Sequence, residues 1–530
     1  MKMLLLYPEI PDTFWSFRHA LRFISKKAAF PPLGLLTIAA MMPHDWEKRL
    51  LDMNVRRLHD SDLAWADYVW ISAMHVQRES AAEVIARCRR LGVKVIAGGP
   101  YFTTSADDFA DVDHRVLGEA ETILPELFND ISSGMPKPSY SSADHPDLSL
   151  APIPQWDLIN FRDYDSMLLQ FSRGCPFDCE FCDIVVLNGR KQRTKSPEQF
   201  IREIDSLYRM NWKGSVFIVD DNFIGSKSKV KEMLRSLGKW MDRNGRPFHF
   251  FTETSINLAE DEELMSLMAY AGFNKVFVGI ETPNIESLKE TNKHQNTKKD
   301  LLEAVKTIQR NGMEVMGGFI VGFDNDPENI FERQIGFIQS SGISVAMVGI
   351  LNALPGTKLW KRLGKEGRLM GEGSGNNTAS SINFIPKMGI DKLARGYRQV
   401  VETIYSPEFY YRRCLTFLKG YRQKTASKIQ LSGIGAFFKG LWHMGIKNEE
   451  GFRRCFWKLL IRSLLINPKT FGEAVRLLIV GIHFRKSMCS LQTPLTNQPF
   501  SWGGAGTCRA EPFPPPRGRV KQPDPQNGYS

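Results

Sequence analysis

The chain runs to 530 residues with a formal net charge of +11 and 42% hydrophobic content, which suits two or three globular domains and excludes collagenous or wholly disordered classes. Its eight cysteines, at 88, 175, 179, 182, 414, 455, 489 and 508, are too scattered for a disulfide framework and fit a reducing cytoplasm. The first apolar run, Met1-Lys2-Met3-Leu4-Leu5-Leu6-Tyr7, is too short for a signal peptide, so no export is expected.

The first 130 or so residues alternate strand-like and helical runs, as a doubly wound parallel sheet does. Strands are expected at 2–7, 48–53, 68–74, 94–97 and 114–117, with a helix at 79–91 closed by Gly92. The strand ends are small and polar: Ser72-Ala73-Met74-His75, Gly98-Gly99-Pro100 and Gly118-Glu119. Ligands of such sheets sit outside the carboxyl ends of the strands, where glycine admits a large cofactor. Residues 133–160 shift to Pro, Ser and Asp and are expected to be a linker.

Next comes Ser172-Arg173-Gly174-Cys175-Pro176-Phe177-Asp178-Cys179-Glu180-Phe181-Cys182. Cys-x3-Cys-x2-Cys offers three thiolates from one short loop. An iron–sulfur cube takes four ligands, so one iron would stay open for another molecule. A zinc knuckle or a disulfide pair is the alternative, but zinc wants a fourth Cys or His at finger-like spacing and none follows before His249. Six strands, at 167–171, 215–219, 248–252, 275–280, 314–321 and 345–351, then alternate with helices near 197–211, 227–243, 261–271, 297–312 and 327–341. Six βα units are too few for a closed eight-stranded barrel and predict an open partial one.

Chemistry on parallel βα units gathers at the carboxyl ends of the strands. After the cysteine loop, those ends read Asp220-Asp221-Asn222, Glu253 within Thr252-Glu253-Thr254, Glu281 after Gly279-Ile280, and Gly317-Gly318-Phe319-Ile320-Val321-Gly322. Beyond Leu354-Pro355-Gly356 the strand rhythm stops. Helical patterns occupy 391–405, 452–466 and 471–484, the last two mixing Trp, Phe, Leu and Ile with Arg and Lys. None reaches the ~20 apolar residues of a spanning helix. Either an interfacial pair or a buried pair fits that mixture, and a nucleic-acid arm does not. The Pro-, Gly- and Arg-rich residues 490–530 are expected to be disordered.

The cysteine spacing resembles the signature of the radical S-adenosylmethionine (SAM) enzymes, and the strand pattern resembles their open six-stranded barrel. The segment ahead of it resembles the cobalamin-binding domain of one branch, with Ser72, Gly98 and Gly99 matching the groove for the nucleotide tail. The resemblance implies an α/β fold: a Rossmann-like cobalamin-binding domain (1–132), a linker (133–160), a partial (β/α)6 barrel (161–355), a helical extension (356–489) and a tail (490–530). It implies that Cys175, Cys179 and Cys182 hold a [4Fe–4S] cluster whose open iron chelates SAM. Asp220, Asp221, Glu253, Glu281, Gly317, Gly318 and Val321 would line the SAM site. Where the family's cobalt-ligating histidine run would stand, this chain has Asp52-Met53-Asn54-Val55, implying cobalamin bound base-off without a protein histidine.

The domain order, with Pro31-Pro32-Leu33-Gly34-Leu35 and Met74-His75-Val76-Gln77-Arg78, looks most like the hopanoid C-2 methylase group. That implies a class B methyltransferase acting, through a 5′-deoxyadenosyl radical, on an unactivated carbon of a lipid. An electron donor such as ferredoxin or flavodoxin, a cytoplasmic site and peripheral membrane contact are further expectations. Two other readings stay open: a methylthiotransferase or ring-forming enzyme on a tetrapyrrole-type or tRNA substrate, and a non-catalytic cobalamin or redox sensor.

Overall fold

The computed structural model describes residues 1–489 apart from 106–108, 110–111, 143, 372, 374, 377–380, 423–430, 448–449 and 467. The expected disordered tail lies outside the described residues. In the first domain β1 (Lys2–Tyr7), β2 (Glu47–Asp52), β3 (Tyr68–Ser72), β4 (Lys94–Gly98), β5 (His114–Leu117) and β6 (Ser139–Ser141) form one parallel sheet in the order β2-β1-β3-β4-β5-β6. The central strands are buried on both faces, which is why they read as continuous apolar runs. β6 comes from the stretch expected to be linker. A three-residue strand carries no periodicity of its own, and pairing of Arg115, Val116 and Leu117 with Ser139, Tyr140 and Ser141 recruits it.

The strand order changes direction between β1 and β3, the point at which doubly wound sheets open a ligand crevice. Ser72 ends β3 opposite Gly98 at the end of β4, so both stand at the carboxyl edge of the sheet.

The second sheet is β14-β13-β12-β11-β10-β7, parallel throughout: β7 (Ser166–Leu169), β10 (Gly214–Ile218), β11 (Phe248–Thr254), β12 (Phe273–Glu281), β13 (Glu314–Val321) and β14 (Ala346–Ile350). A two-residue hairpin, β8 (Ser172–Arg173) with β9 (Arg193–Thr194), closes the cysteine loop at its base. Helices Pro197–Arg209, Lys227–Arg243, Glu262–Ala271, Leu301–Arg310 and Ile330–Ser341 cover one face. Trp240, stacked on Phe248 at 5.6 Å, marks that outer face. Period-two alternation therefore turns His249, Phe251 and Glu253 into the lumen.

The six-stranded sheet stays open, and the helical extension covers its last edge. Tyr405, at the end of helix Ile390–Ile404, accepts from Ala346 N at 3.2 Å and donates to Ala346 O at 2.7 Å. Helix Phe471–Cys489 reaches the amino end of β13, where Arg476 Nη2 pairs with Glu314 Oε2 at 2.5 Å. The same helix meets the N-terminal segment: His483 bonds Phe14 O at 3.1 Å, Ser487 donates to Asp12 at 2.9 Å, and Phe484 packs on Phe14 at 5.6 Å. One apolar core accordingly runs through Phe14, the barrel strands and the extension.

Candidate active site at the mouth of the half barrel

The loop after β7 is held by the strand ends below it. Asp220, fully buried at the end of β10, accepts from Phe171 N at 2.8 Å and Ser172 Oγ at 2.6 Å. Asp221 accepts from Gly174 N at 2.7 Å and from Asn188 Nδ2 at 3.0 Å. Both carboxylates, expected to meet SAM, thus have a first task in fixing the cysteine loop. Gly174 is required there: its φ is +91° and a Cβ would stand 2.7 Å from Lys191 O. Burial pushes the Asp220 carboxyl up to about 7, against the lowering effect of its hydrogen bonds.

The three cysteines form no disulfide. Asn222 Nδ2 lies 3.9 Å from Cys175 Sγ, and Gln295 Nε2 lies 3.6 Å from Cys179 Sγ. Among the described residues no three His, Cys, Asp or Glu side chains converge on a single ion's position, whereas a cube gives each thiolate its own iron. Burial raises the Cys182 and Cys175 thiols, so bare thiolates would be costly here and bound iron would carry their charge. The donor set fits a cluster.

The remaining sequence candidates divide. Glu253 is half-buried in the lumen with no hydrogen-bond partner for its carboxylate among the described residues, and desolvation, then Asp221, pushes it up to about 7. It is the open acceptor of the site. Glu281 instead is paired: Lys293 Nζ donates to its Oε1 at 2.6 Å, and Glu281 itself sits at φ +63° where the register of β12 on β13 slips. A left-handed non-glycine residue is strained backbone, of the kind that collects at working sites. Burial alone would lower Lys293, but Glu281 and then Cys179 raise it overall, so it stays a cation beside the cysteines.

On β13 the expectation needs correcting. A Cβ on Gly317 would meet Phe319 and Ile343, and Phe319 packs on Phe337 of the covering helix, so Gly317, Phe319 and Val321 face outward. Gly318 faces the lumen against Phe277. Two adjacent glycines leave the alternation ambiguous, so the run by itself did not show which of them faces the lumen.

Arg173 and Arg190, both close to the cysteines in sequence, are engaged in ion pairs with carboxylates. Arg173 reaches Glu119 and Glu121 of the first domain, both at 2.7 Å. Arg193 and His145 meet the same Glu119 at 2.6 and 2.8 Å, and Arg190 pairs with Asp178 at 3.6 Å. The end of β5 thereby clamps the base of the cysteine loop. Arg362 of helix Lys358–Lys365 grips Glu180 through two bonds of 2.7 and 3.1 Å. Lys293, Gln295 and Arg362 escaped the sequence reading, since they come from segments with no motif of their own. Gly118-Glu119 was visible as a polar strand end without a partner to explain it.

At the other strand ends, Gly99 has φ +94° and a Cβ would lie 2.7 Å from Ser72 Oγ, while one on Gly98 would lie 3.2 Å from Val116 O. His75 bonds Thr104 at 3.1 Å and leans on Tyr101 at 4.9 Å, as a loop histidine does. Asn54 accepts from Ile10 N at 2.8 Å and donates to Asp52 at 2.7 Å and Pro8 O at 3.2 Å. Its amide is therefore spent on latching the loop after β1. A crevice with glycine at its rim and, among the described residues, no histidine assigned to it fits a base-off corrin.

A partial parallel barrel with a three-cysteine loop at its mouth, preceded by a doubly wound domain facing it, defines a cobalamin-linked radical SAM architecture. Residues 23–128 match the B12 binding domain family, 169–338 the Radical SAM superfamily, and 357–494 a domain of unknown function, DUF4070. An uncharacterised methyltransferase of Synechocystis sp. is 41% identical over 91% of this chain and 91% of its own length. Hopanoid C-2 methylase of Rhodopseudomonas palustris is 34% identical over 91% of this chain and 92% of its own length. Among solved structures, the cobalamin-dependent SAM radical enzyme OxsB with aqua-cobalamin bound superposes with a TM-score of 0.59 at 14% identity, over 92% of this chain and 80% of that one. The chain belongs to the cobalamin-dependent radical SAM methyltransferase family. Its cofactors are a [4Fe–4S] cluster, SAM and cobalamin.

Proposed function

We propose that the protein methylates an unactivated carbon of a membrane-derived lipid of the hopanoid type. The observation that carries this is the end-to-end similarity to a hopanoid C-2 methylase, which includes the helical extension as well as the two cofactor domains. The lumen lends support. Phe217, Phe251 and Phe277 project into it, Trp15 from the N-terminal segment stacks on Phe217 at 5.9 Å, and Phe251 stacks on Phe217 at 4.5 Å. Such a wall suits an apolar ring system better than a charged or heavily hydrated one.

In this reading Cys175, Cys179 and Cys182 hold the cluster, Glu253 takes the ribose hydroxyls of SAM, and Gly318 lets adenine approach β13. Lys293 neutralises thiolate and carboxylate charge between cluster and SAM. Ser72, Gly98 and Gly99 border the groove for the nucleotide tail. When bound, the cluster and SAM supply the radical and cobalamin the methyl group. The protein's share is to fix the three thiols through Asp220 and Asp221, to seal the lumen with the extension, and to keep water from the reacting carbon. A low-potential ferredoxin or flavodoxin would deliver the electrons.

The test is anaerobic turnover of the reconstituted protein with SAM, cobalamin and a hopanoid extract, read by mass spectrometry. A product heavier by one methylene supports the proposal. Formation of 5′-deoxyadenosine with no methylated lipid would leave the radical methyltransferase intact and remove the lipid substrate.

A further inference from the structure

The extension presents an apolar face to the outside. Eight of the 21 exposed large apolar side chains among the described residues fall between 438 and 466. On helix Glu450–Ile466 they recur as Trp457, Ile461, Leu464 and Leu465, spaced i, i+4, i+7 and i+8, one stripe of a helix. The opposite stripe, with Phe452, Phe456, Leu459 and Leu460, is buried against the core. Trp442 and Ile446 continue the outward stripe on the preceding turn, joined to it where Trp457 Nε1 donates to Gly445 O at 3.2 Å. Leu465 is 79% exposed, so this face is not a partly covered core.

Charge accompanies it. Residues 451–470 contain five Lys or Arg and no Asp or Glu. Lys447, Arg453, Lys458 and Arg462 are exposed on these same turns, with Lys447 5.2 Å over the Trp442 ring. No helix among the described residues is long and apolar enough to cross a membrane. Tryptophan and leucine bounded by cations, on a helix whose other side is anchored in the protein, match what an interfacial helix needs: an apolar stripe to enter the acyl boundary and cations to meet the headgroups.

The sequence left helices near 452–466 and 471–484 balanced between interface and core, and the fold separates them. In Phe471–Cys489 the residues Leu477, Leu478, Ile479, Val480, Ile482 and Phe484 are buried, so that helix is core.

We infer that the face built by residues 438–466 docks the protein on an anionic phospholipid surface. The choice of lipid over a protein partner rests on the excess of positive charge, six Lys or Arg against two Glu over residues 438–466, since anionic headgroups attract juxtamembrane Lys and Arg. The surface lies outside the cofactor site and is independent of which lipid the enzyme methylates.

The experiment is flotation of the full-length, cofactor-loaded protein with vesicles of phosphatidylcholine alone or mixed with phosphatidylglycerol, alongside its solution mass. Binding to the mixed vesicles that exceeds binding to phosphatidylcholine at least tenfold and weakens with salt is expected, because exposed charges are screened within about 8 Å at physiological ionic strength. The double variant Ile461→Asp, Leu465→Asp should lose flotation while still cleaving SAM in free solution. Lys458→Ser with Arg462→Ser should keep the fold and lose the preference for the anionic lipid. Absence of flotation, or undiminished flotation of the Asp variant, overturns the inference. So does a wild-type dimer that the Asp variant converts to a monomer without vesicle binding, which would make the face a seam between copies.

Discussion

At the scale of single residues the site separates acids that hold the loop from the acid left open. Glu253 carries the clearest pH consequence. Its carboxyl rises from 4.5 to about 7 through burial and then Asp221. The folded protein therefore holds this proton more tightly than the unfolded chain does. The resulting stability is complete below about pH 4.5 and is lost as pH rises through 7. Glu253→Gln should raise the melting temperature of the cofactor-free protein at mildly alkaline pH, leave it unchanged in acid, and weaken SAM binding at least tenfold. Calorimetry at the two pH values and equilibrium dialysis check both halves. Lys293→Met removes the cation beside Glu281 and the thiols. The reduction potential of the reconstituted cluster should fall, as net charge near a cluster dictates, and redox titration followed by electron paramagnetic resonance reads it. Cys→Ala at 175, 179 or 182 should each abolish the cluster's absorption. The same change at buried Cys88 should cost only packing, because that thiol lies in the core of the first domain.

Elements explain why those residues meet. Glu119 stands just past β5, yet three basic side chains from the barrel side and the connecting segment, Arg173, Arg193 and His145, converge on it. Glu119→Gln should loosen the base of the cysteine loop before anything else, and hydrogen exchange across residues 188–193 should quicken while the strands stay protected. Helix Phe471–Cys489 makes a comparable junction at the opposite end of the barrel. Removing one partner of a buried ion pair typically costs about 3–5 kcal/mol. Arg476→Met should therefore destabilise strongly, and the double change with Glu314→Gln should recover part of the loss in a denaturant cycle.

For the whole molecule, the extension is a structural member of the barrel. Tyr405 covers the β14 edge, and Phe484 stacks on Tyr405 at 5.2 Å while touching Phe14 of the N-terminal segment. Truncation after the last barrel strand should then expose that edge and the core shared by both chain ends, giving aggregation rather than a smaller soluble enzyme. Expression of the truncated chain, followed by sedimentation, tests it.

The sequence alone determined whatever depends on local spacing. Three cysteines within eight residues, two series of parallel strands and the polar residues at their ends were legible because cluster ligation and strand periodicity are written into neighbouring positions. The tertiary structure decided what depends on distant partners. It assigned Asp220 and Asp221 to the loop, turned Gly317 and Val321 away from the lumen, brought Lys293 and Gln295 to the cysteines, and gave Arg173 to Glu119 and Glu121. It also decided between two helices of nearly equal composition, burying Phe471–Cys489 and leaving one side of Glu450–Ile466 in solvent. Composition records how apolar a helix is, but only the surfaces packed against it determine which side, if any, remains outside.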